Sequence, residues 1–304
     1  MKKTEKMNLS EKQKTINPVF QWLCAFLAIF FVFVGVSGLY QTGDAKEIFV
    51  IKAEHVVKKN PADIFNKLEL EANAVFVYDN NNRFPLYAKN AEAPFPIASV
   101  SKIMTVLAAD RLLPRQTPIS FNGEFWTAEE LFRYALIISS NEAAETLAVA
   151  AQNFSGTVLI DEMNKLSKEI GLATATFKNP TGLDLGNGEA GAESSAADIA
   201  RLIAYVLKNR PELLEPSKSS KEVAFSMNGS RYLLPNTNVI IDELPGLLAS
   251  KTGFTDLAGG NLAVVFDRGL NQPVTVVVLG SSWAGRFDDV KKLFTATGRY
   301  FSND

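Results

Sequence analysis

Cysteine and histidine each occur once in 304 residues, as Cys24 and His55. A single cysteine forbids a disulfide within the chain, and one of each cannot build a zinc site from thiolates and imidazoles. Cys24 lies inside a long uncharged run, which argues against a cysteine nucleophile. His55 stands in EHVVKKN, a charged stretch that reads as a tether, whereas a Ser-His-Asp hydrolase needs its histidine deep in the active site. Strong charge of one sign is also missing. With 31 Lys and Arg against 33 Asp and Glu, the net charge is -2, and no basic field marks a nucleic-acid binder. A hydrolase built on this chain must take its base from Lys, Asp or Glu.

What is present begins with one hydrophobic run. Residues 1–18 are basic, with Lys2, Lys3, Lys6, Lys12 and Lys14, and read as a cytoplasmic tail. Residues 19–40, VFQWLCAFLAIFFVFVGVSGLY, carry no charge. About 20 apolar residues span a bilayer as a helix, and a basic amino-terminal flank keeps that end in the cytoplasm. A signal peptide has a shorter apolar core. The run therefore predicts an uncleaved single-pass anchor, with the remainder of the chain outside the cytoplasm.

Residues 41–71 read as a charged tether, and the texture changes at Ala72. AVFVYD (74–79) and RFPLYAKN (83–90) alternate as strands around NNN (80–82). Helical periodicity follows over 97–113, ending before Pro114. Thr127 and Glu130 form a capping-box signal for TAEELFRYALII. Further helices are expected over 142–151, up to Gly171, and over 195–210 before Pro211. NLAVVF (261–266) and PVTVVVLGSS (273–282) are strands around DRGLNQ, and DDVKKLFTATGRYF (288–301) is an amphipathic helix. Strands at both ends with helices between predict an α/β (α+β) domain over 72–304. Its antiparallel sheet is built from both ends of the domain, with helices on both faces and a helical insertion.

Three polar constellations carry chemistry. Ser99-Val100-Ser101-Lys102 opens a helix, so Lys102 lies one turn beyond Ser99 on the same face and reaches its hydroxyl. A neutral lysine amine can take the proton that a serine must lose to attack, and burial depresses the lysine pKa enough to supply one. Ser139-Ser140-Asn141 forms a polar turn between two helices. Lys251-Thr252-Gly253 puts a cation, a hydroxyl and a close backbone approach beside a strand, which suits an anionic ligand. Each alone is weak: about one S-x-x-K match is expected by chance in a chain this long. Taken in this order and context they are specific.

Together with IASVSKIMTVLAA, ISSNEAAETLA, FKNPTGLD and SKTGFTDLAGGNLAVVF, these motifs resemble the low-molecular-weight penicillin-binding proteins, the D-alanyl-D-alanine carboxypeptidases of the serine β-lactamase-like superfamily. The resemblance covers roughly residues 72–301. It implies Ser99 as nucleophile toward a peptidoglycan stem peptide ending in D-Ala-D-Ala, with Lys102 as base. It also implies Ser139 and Lys251 as a proton relay to the leaving D-alanine, and Asn141 orienting Lys102 and the substrate. Thr252, Gly253, Phe254 and Arg286 fall at substrate-binding positions. The backbone N–H groups of Ser99 and Phe254 stand where an oxyanion hole belongs, and Arg286 where some relatives bind the terminal carboxylate. β-Lactams are the implied inhibitors, no metal or organic cofactor is implied, and the location is the bacterial membrane. Three features depart from the pattern: a short stretch between Lys102 and Ser139, Phe254 where relatives often carry His, and no separate carboxy-terminal β domain. The competing readings are a β-lactamase, for which Glu162-Met163-Asn164 lacks the right spacing, and a catalytically silent cell-wall binding module.

Overall fold

A computed structural model describes residues 64–302. The tail and anchor expected over 1–40, together with Cys24 and His55, lie outside the described residues. Among those described, no helix is long and apolar enough to cross a membrane.

The chain opens with strands β1 (Ala74–Asp79) and β2 (Phe84–Lys89) and the short β3 (Phe95–Pro96). A 3-10 turn (Ala98–Ser101) leads into α1 (Lys102–Leu112). The hairpin β4 (Pro118–Phe121) and β5 (Glu124–Thr127) precedes α2 (Ala128–Leu136), α3 (Asn141–Ser155) and α4 (Leu159–Ile170). After β6 (Thr176–Phe177) and β7 (Ala192–Ser194) come α5 (Ala196–Asn209) and α6 (Pro211–Leu214). A second hairpin, β8 (Lys221–Phe225) and β9 (Arg231–Pro235), leads to the long strands β10 (Leu247–Thr255), β11 (Gly259–Asp267) and β12 (Pro273–Ser281). Helix α7 (Gly285–Phe301) ends the described chain.

The main sheet has the order β10-β11-β12-β1-β2, antiparallel throughout. Strands from both ends of the domain thus meet, with Val75 opposite Val278. Alternation then sorts side chains onto two faces. Ala74, Phe76, Ala263, Val265, Val277 and Leu279 join the core that holds α1 and α5. Val75, Val77, Leu262, Val264, Val276 and Val278 join the core under α7, with Val290 and Leu293. Burial on both faces explains why these strands read as nearly unbroken apolar runs. Phe65, in the stretch read as tether, is fully buried in the second core and stacks on Tyr87 at 5.6 Å.

Local signals account for most of the helix ends. Thr127 accepts a hydrogen bond from the Glu130 N–H at the head of α2, and Gly171 closes α4 in the left-handed conformation at φ 78°. Two differences have a physical reason. The helix expected from 97 begins as a 3-10 turn, and α begins only at Lys102. The last helix starts at Gly285, three residues early, because Gly285 N–H donates to Ser282 Oγ. The hairpins β4–β5 and β8–β9, which periodicity does not resolve, are short ribbons whose buried residues, such as Trp126 and Leu234, belong to the helical side.

Candidate active site

The chain reaches Ser99 through β3, which pairs with β7, and through Ile97, whose N–H donates to the Ala192 carbonyl. Ala98 then turns with φ 47°, a left-handed conformation that costs a non-glycine residue about 1–3 kcal/mol. The buried side chains of Ile103, Met104, Val106 and Leu107 fix α1 in the core beyond it. One helical turn then carries the Lys102 amine back to Ser99, with Nζ 2.8 Å from Oγ.

Lys102 is fully buried. Its Nζ donates to Asn141 Oδ1 at 2.7 Å and to the Thr181 carbonyl at 2.8 Å. Those two groups are acceptors only, so they take both hydrogens of a neutral amine and leave its lone pair for the Ser99 hydroxyl. Burial lowers the Lys102 pKa to about 7, against the opposing pull of Glu142 and Glu145. A base poised near neutrality is the outcome.

The second serine lies where α2 ends and α3 begins. Ser139 adopts φ 62°, and Ser140 caps α3 by accepting from the Ala143 N–H. Asn141 is thereby the first residue of α3, with its amide aimed at Lys102. Glu142 also points toward this end, accepting from Ser140 Oγ at 3.0 Å. From Glu142 a groove of about 730 Å³ runs along α3 past Glu145, Val149 and Phe154, walled opposite by Pro118 and Ile119.

Strand β10 is an edge of the main sheet, and that edge faces the Ser99 turn. Lys251 is buried, and its Nζ donates to Ser139 Oγ at 2.8 Å and to the Thr252 carbonyl at 2.9 Å. Burial, reinforced by the charges of Lys102 and Arg286, holds its pKa well below the ordinary lysine value. Thr252 Oγ1 shares a 2.6 Å hydrogen bond with Thr237 Oγ1. Gly253 permits the approach itself. A Cβ there would lie 2.7 Å from the Ile97 carbonyl oxygen and 3.2 Å from the Ser99 and Val100 nitrogens, all of them backbone atoms. Gly253→Ala must push β10 away from the Ser99 turn. It is expected to cut acylation at least tenfold while leaving the helical core intact, as checked by penicillin labelling rates beside circular dichroism.

Arg286, on the first turn of α7, is 3% exposed and donates from Nη1 to the Gly253 carbonyl at 2.7 Å. Its Nε has no partner, and burial lowers its pKa to about 10. Phe254 is half-exposed at the strand end. The nine residues singled out from the sequence thus fall into one cluster. Ser99 bonds Lys102, which bonds Asn141. Ser139 bonds Lys251; Thr252, Gly253 and Phe254 continue along the same strand edge, and Arg286 reaches that edge from α7 through the Gly253 carbonyl.

Two participants were not found by sequence reasoning. One is the Thr181 carbonyl. Asn179 Oδ1 accepts from the Thr181 and Gly182 N–H groups, forming the turn that aims this carbonyl at Lys102. The available signal was Asn179-Pro-Thr-Gly182, a combination typical of such turns. The other is Thr237, held by the Ile137 carbonyl, which carries no local signal. Glu162 and Asn164 serve the scaffold: Glu162 pairs with Arg111 and Lys165, and Asn164 Oδ1 accepts from the Phe177 N–H.

An antiparallel sheet backed by helices, with two Ser–Lys pairs converging on its edge strand, defines the low-molecular-weight penicillin-binding class. The family model described as D-alanyl-D-alanine carboxypeptidase matches residues 115–282. The D-alanyl-D-alanine endopeptidase of Pseudomonas aeruginosa is 30% identical over 234 residues, covering 69% of this chain and 72% of the relative. The carboxypeptidase DacF of Bacillus subtilis is 29% identical over 237 residues, 71% of this chain, and the match spans 59% of DacF. Among solved structures, penicillin-binding protein D2 of Listeria monocytogenes in its ampicillin-bound form superposes with a TM-score of 0.66 at 30% identity, covering 75% of this chain and 98% of that one. The chain belongs to the D-alanyl-D-alanine carboxypeptidase family.

Proposed function

We propose that this protein is a serine D,D-peptidase that removes the terminal D-alanine from peptidoglycan stem peptides through an ester on Ser99, and that penicillins acylate the same hydroxyl. One observation carries the reading. Three basic side chains, Lys102, Lys251 and Arg286, are buried beside Ser99, Ser139 and the Gly253 carbonyl, and no carboxylate among the described residues bonds to any of them. Burial holds the two lysine amines toward their neutral form, while the Arg286 guanidinium stays charged without a counter-ion, a cost that an anionic ligand relieves. A peptide with a terminal carboxylate supplies the missing charge. The relatives named as acting on D-alanyl-D-alanine and the ampicillin complex of the Listeria protein support the same choice.

In this reading Ser99 Oγ attacks the carbonyl between the two D-alanines while its proton passes to Lys102 Nζ. The developing oxyanion lies between the N–H groups of Ser99 and Phe254, which the close passage of Gly253 brings together. The C–N bond then breaks, and the leaving amine receives a proton through Ser139 and Lys251. Thr252 and Arg286 hold the terminal carboxylate. Water attacks the ester with Lys102 again as base, and releases the shortened peptide. Attachment to a bacterial membrane through residues 19–40 belongs to the same proposal, supported by the length and basic flank of that run.

Full-length protein supplied with a pentapeptide ending in D-Ala-D-Ala is expected to release one D-alanine per tetrapeptide formed, measured by chromatography. Binding without release would support the silent module. Rapid turnover of penicillin in place of a stable adduct would support a β-lactamase.

A further inference from the structure

The mouth of the site carries an aromatic pair whose exposure the core does not explain. Phe254 and Trp283 are 38% and 60% exposed, yet their rings meet edge to face at 4.8 Å. Phe254 follows Gly253 near the end of β10, opposite Gly260. Trp283 lies in the link from β12 to α7. The two meet across the start of β11 because Gly260 has no side chain; a Cβ there would strike the Ser282 carbonyl beside Trp283. Below the pair lies Arg286, its guanidinium carbon 4.3 Å from the centre of the Trp283 ring and 4.7 Å from that of Phe287. Its Nη1 donates to the Gly253 carbonyl and its buried Nε donates to nothing in the structure. The contacts close a ring: Gly253 carbonyl, Arg286, Trp283, Phe254, and back along the strand.

This ring leaves the guanidinium little freedom. Arginine otherwise samples many rotamers, and a free carboxylate is bound best by a fork that is already oriented. Among the described residues no acidic side chain pairs with this one, and burial lowers its pKa to about 10. Stacking on indole supplies the hold that an ion pair would normally give.

We propose that Trp283, braced by Phe254, is the positioning residue that fixes Arg286, and that it thereby sets the enzyme's preference for a peptide ending in a free carboxylate over one whose chain continues. The proposal rests on the peptidase reading and adds a specificity determinant to it. With the indole in place the guanidinium presents its unpaired N–H groups to a terminal carboxylate. With the indole removed the fork is loose, and a neutral C-terminal amide competes on nearly equal terms.

The test uses the full chain and two probes, acetyl-lysyl-D-Ala-D-Ala and its C-terminal amide. Trp283→Ala should raise KM for the free acid about tenfold with kcat changed less than twofold, and leave KM for the amide unchanged. Trp283→Phe, which keeps a ring face, should restore most of the preference. Equal losses on both probes would mean a merely structural role, and an unchanged ratio would mean none; either result overturns the proposal. Calorimetric binding of the same probes to Ser99→Ala protein, with and without Trp283→Ala, reads the preference without turnover. If the native protein hydrolyses neither probe while the binding preference depends on Trp283, the peptidase reading fails and the positioning role stands. If hydrolysis occurs without such a dependence, the positioning role fails alone.

Discussion

Replacing Ser99 by alanine is expected to abolish covalent labelling by a fluorescent penicillin and to reduce D-alanine release at least 10³-fold, the scale of losing a nucleophile. The result matters because the site contains two Ser–Lys pairs, and geometry must decide between them. Ser99 stands at the head of a helix, where its own N–H faces the edge of β10 beside Gly253. Its lysine is left with a lone pair once Asn141 and Thr181 are satisfied. Ser139 has a lysine but precedes its helix by two residues, in a turn held by the Ser140 cap. Ser101 is fully buried, and its hydroxyl has no partner. Labelling in the Ser139→Ala protein should therefore persist at a reduced rate. A label that survives Ser99→Ala and disappears with Ser139→Ala would reverse the two roles. Thermal unfolding of Ser99→Ala should change by about 0.5 kcal/mol or less, because a half-buried hydroxyl contributes little to the core.

Much of this arrangement was legible wherever the physics is local. Lys102 reaches Ser99 because three residues make nearly one helical turn, which the spacing states directly. The strands 74–79, 261–266 and 273–282 announce themselves as apolar runs, and their union into one sheet follows from both ends of the domain needing partners. Non-local features were not legible. Thr181 is 79 residues from Lys102 and contributes a backbone carbonyl, which no side-chain pattern encodes. Trp283 reads as an ordinary exposed aromatic until Gly260 brings its chain against β11. The short hairpins escape for another reason. Four or five residues give too few alternations to separate a ribbon from a loop, as Pro118–Phe121 and Lys221–Phe225 illustrate.

The pH dependence of acylation should expose Lys102 itself. With a pKa lowered to about 7, the amine is mostly charged at pH 6 and mostly neutral at pH 8. The rate of penicillin acylation should rise about tenfold per pH unit below 7 and level off above it, since only the neutral form accepts the Ser99 proton. Glu142 and Glu145 oppose the shift, so Glu145→Gln should move the inflection to lower pH, and Lys102→Ala should remove it along with about 10²–10⁴-fold of the rate. Stability must show the complementary sign. The folded pKa lies below the ordinary value of 10.5, so between about 7 and 10.5 the unfolded chain binds a proton that the folded protein has released. The contribution of this group is full above that window and is lost as pH falls to about 7. A Lys102→Met protein, with an apolar chain of similar length, should unfold at a higher temperature than the native protein at pH 6 and show a flatter rise in stability toward pH 9. Loss of acylation together with a gain in stability is what a base held unprotonated by burial requires. A Lys102→Met protein that is less stable at both pH values would show that the amine is present for packing and hydrogen bonding, and that the base lies elsewhere.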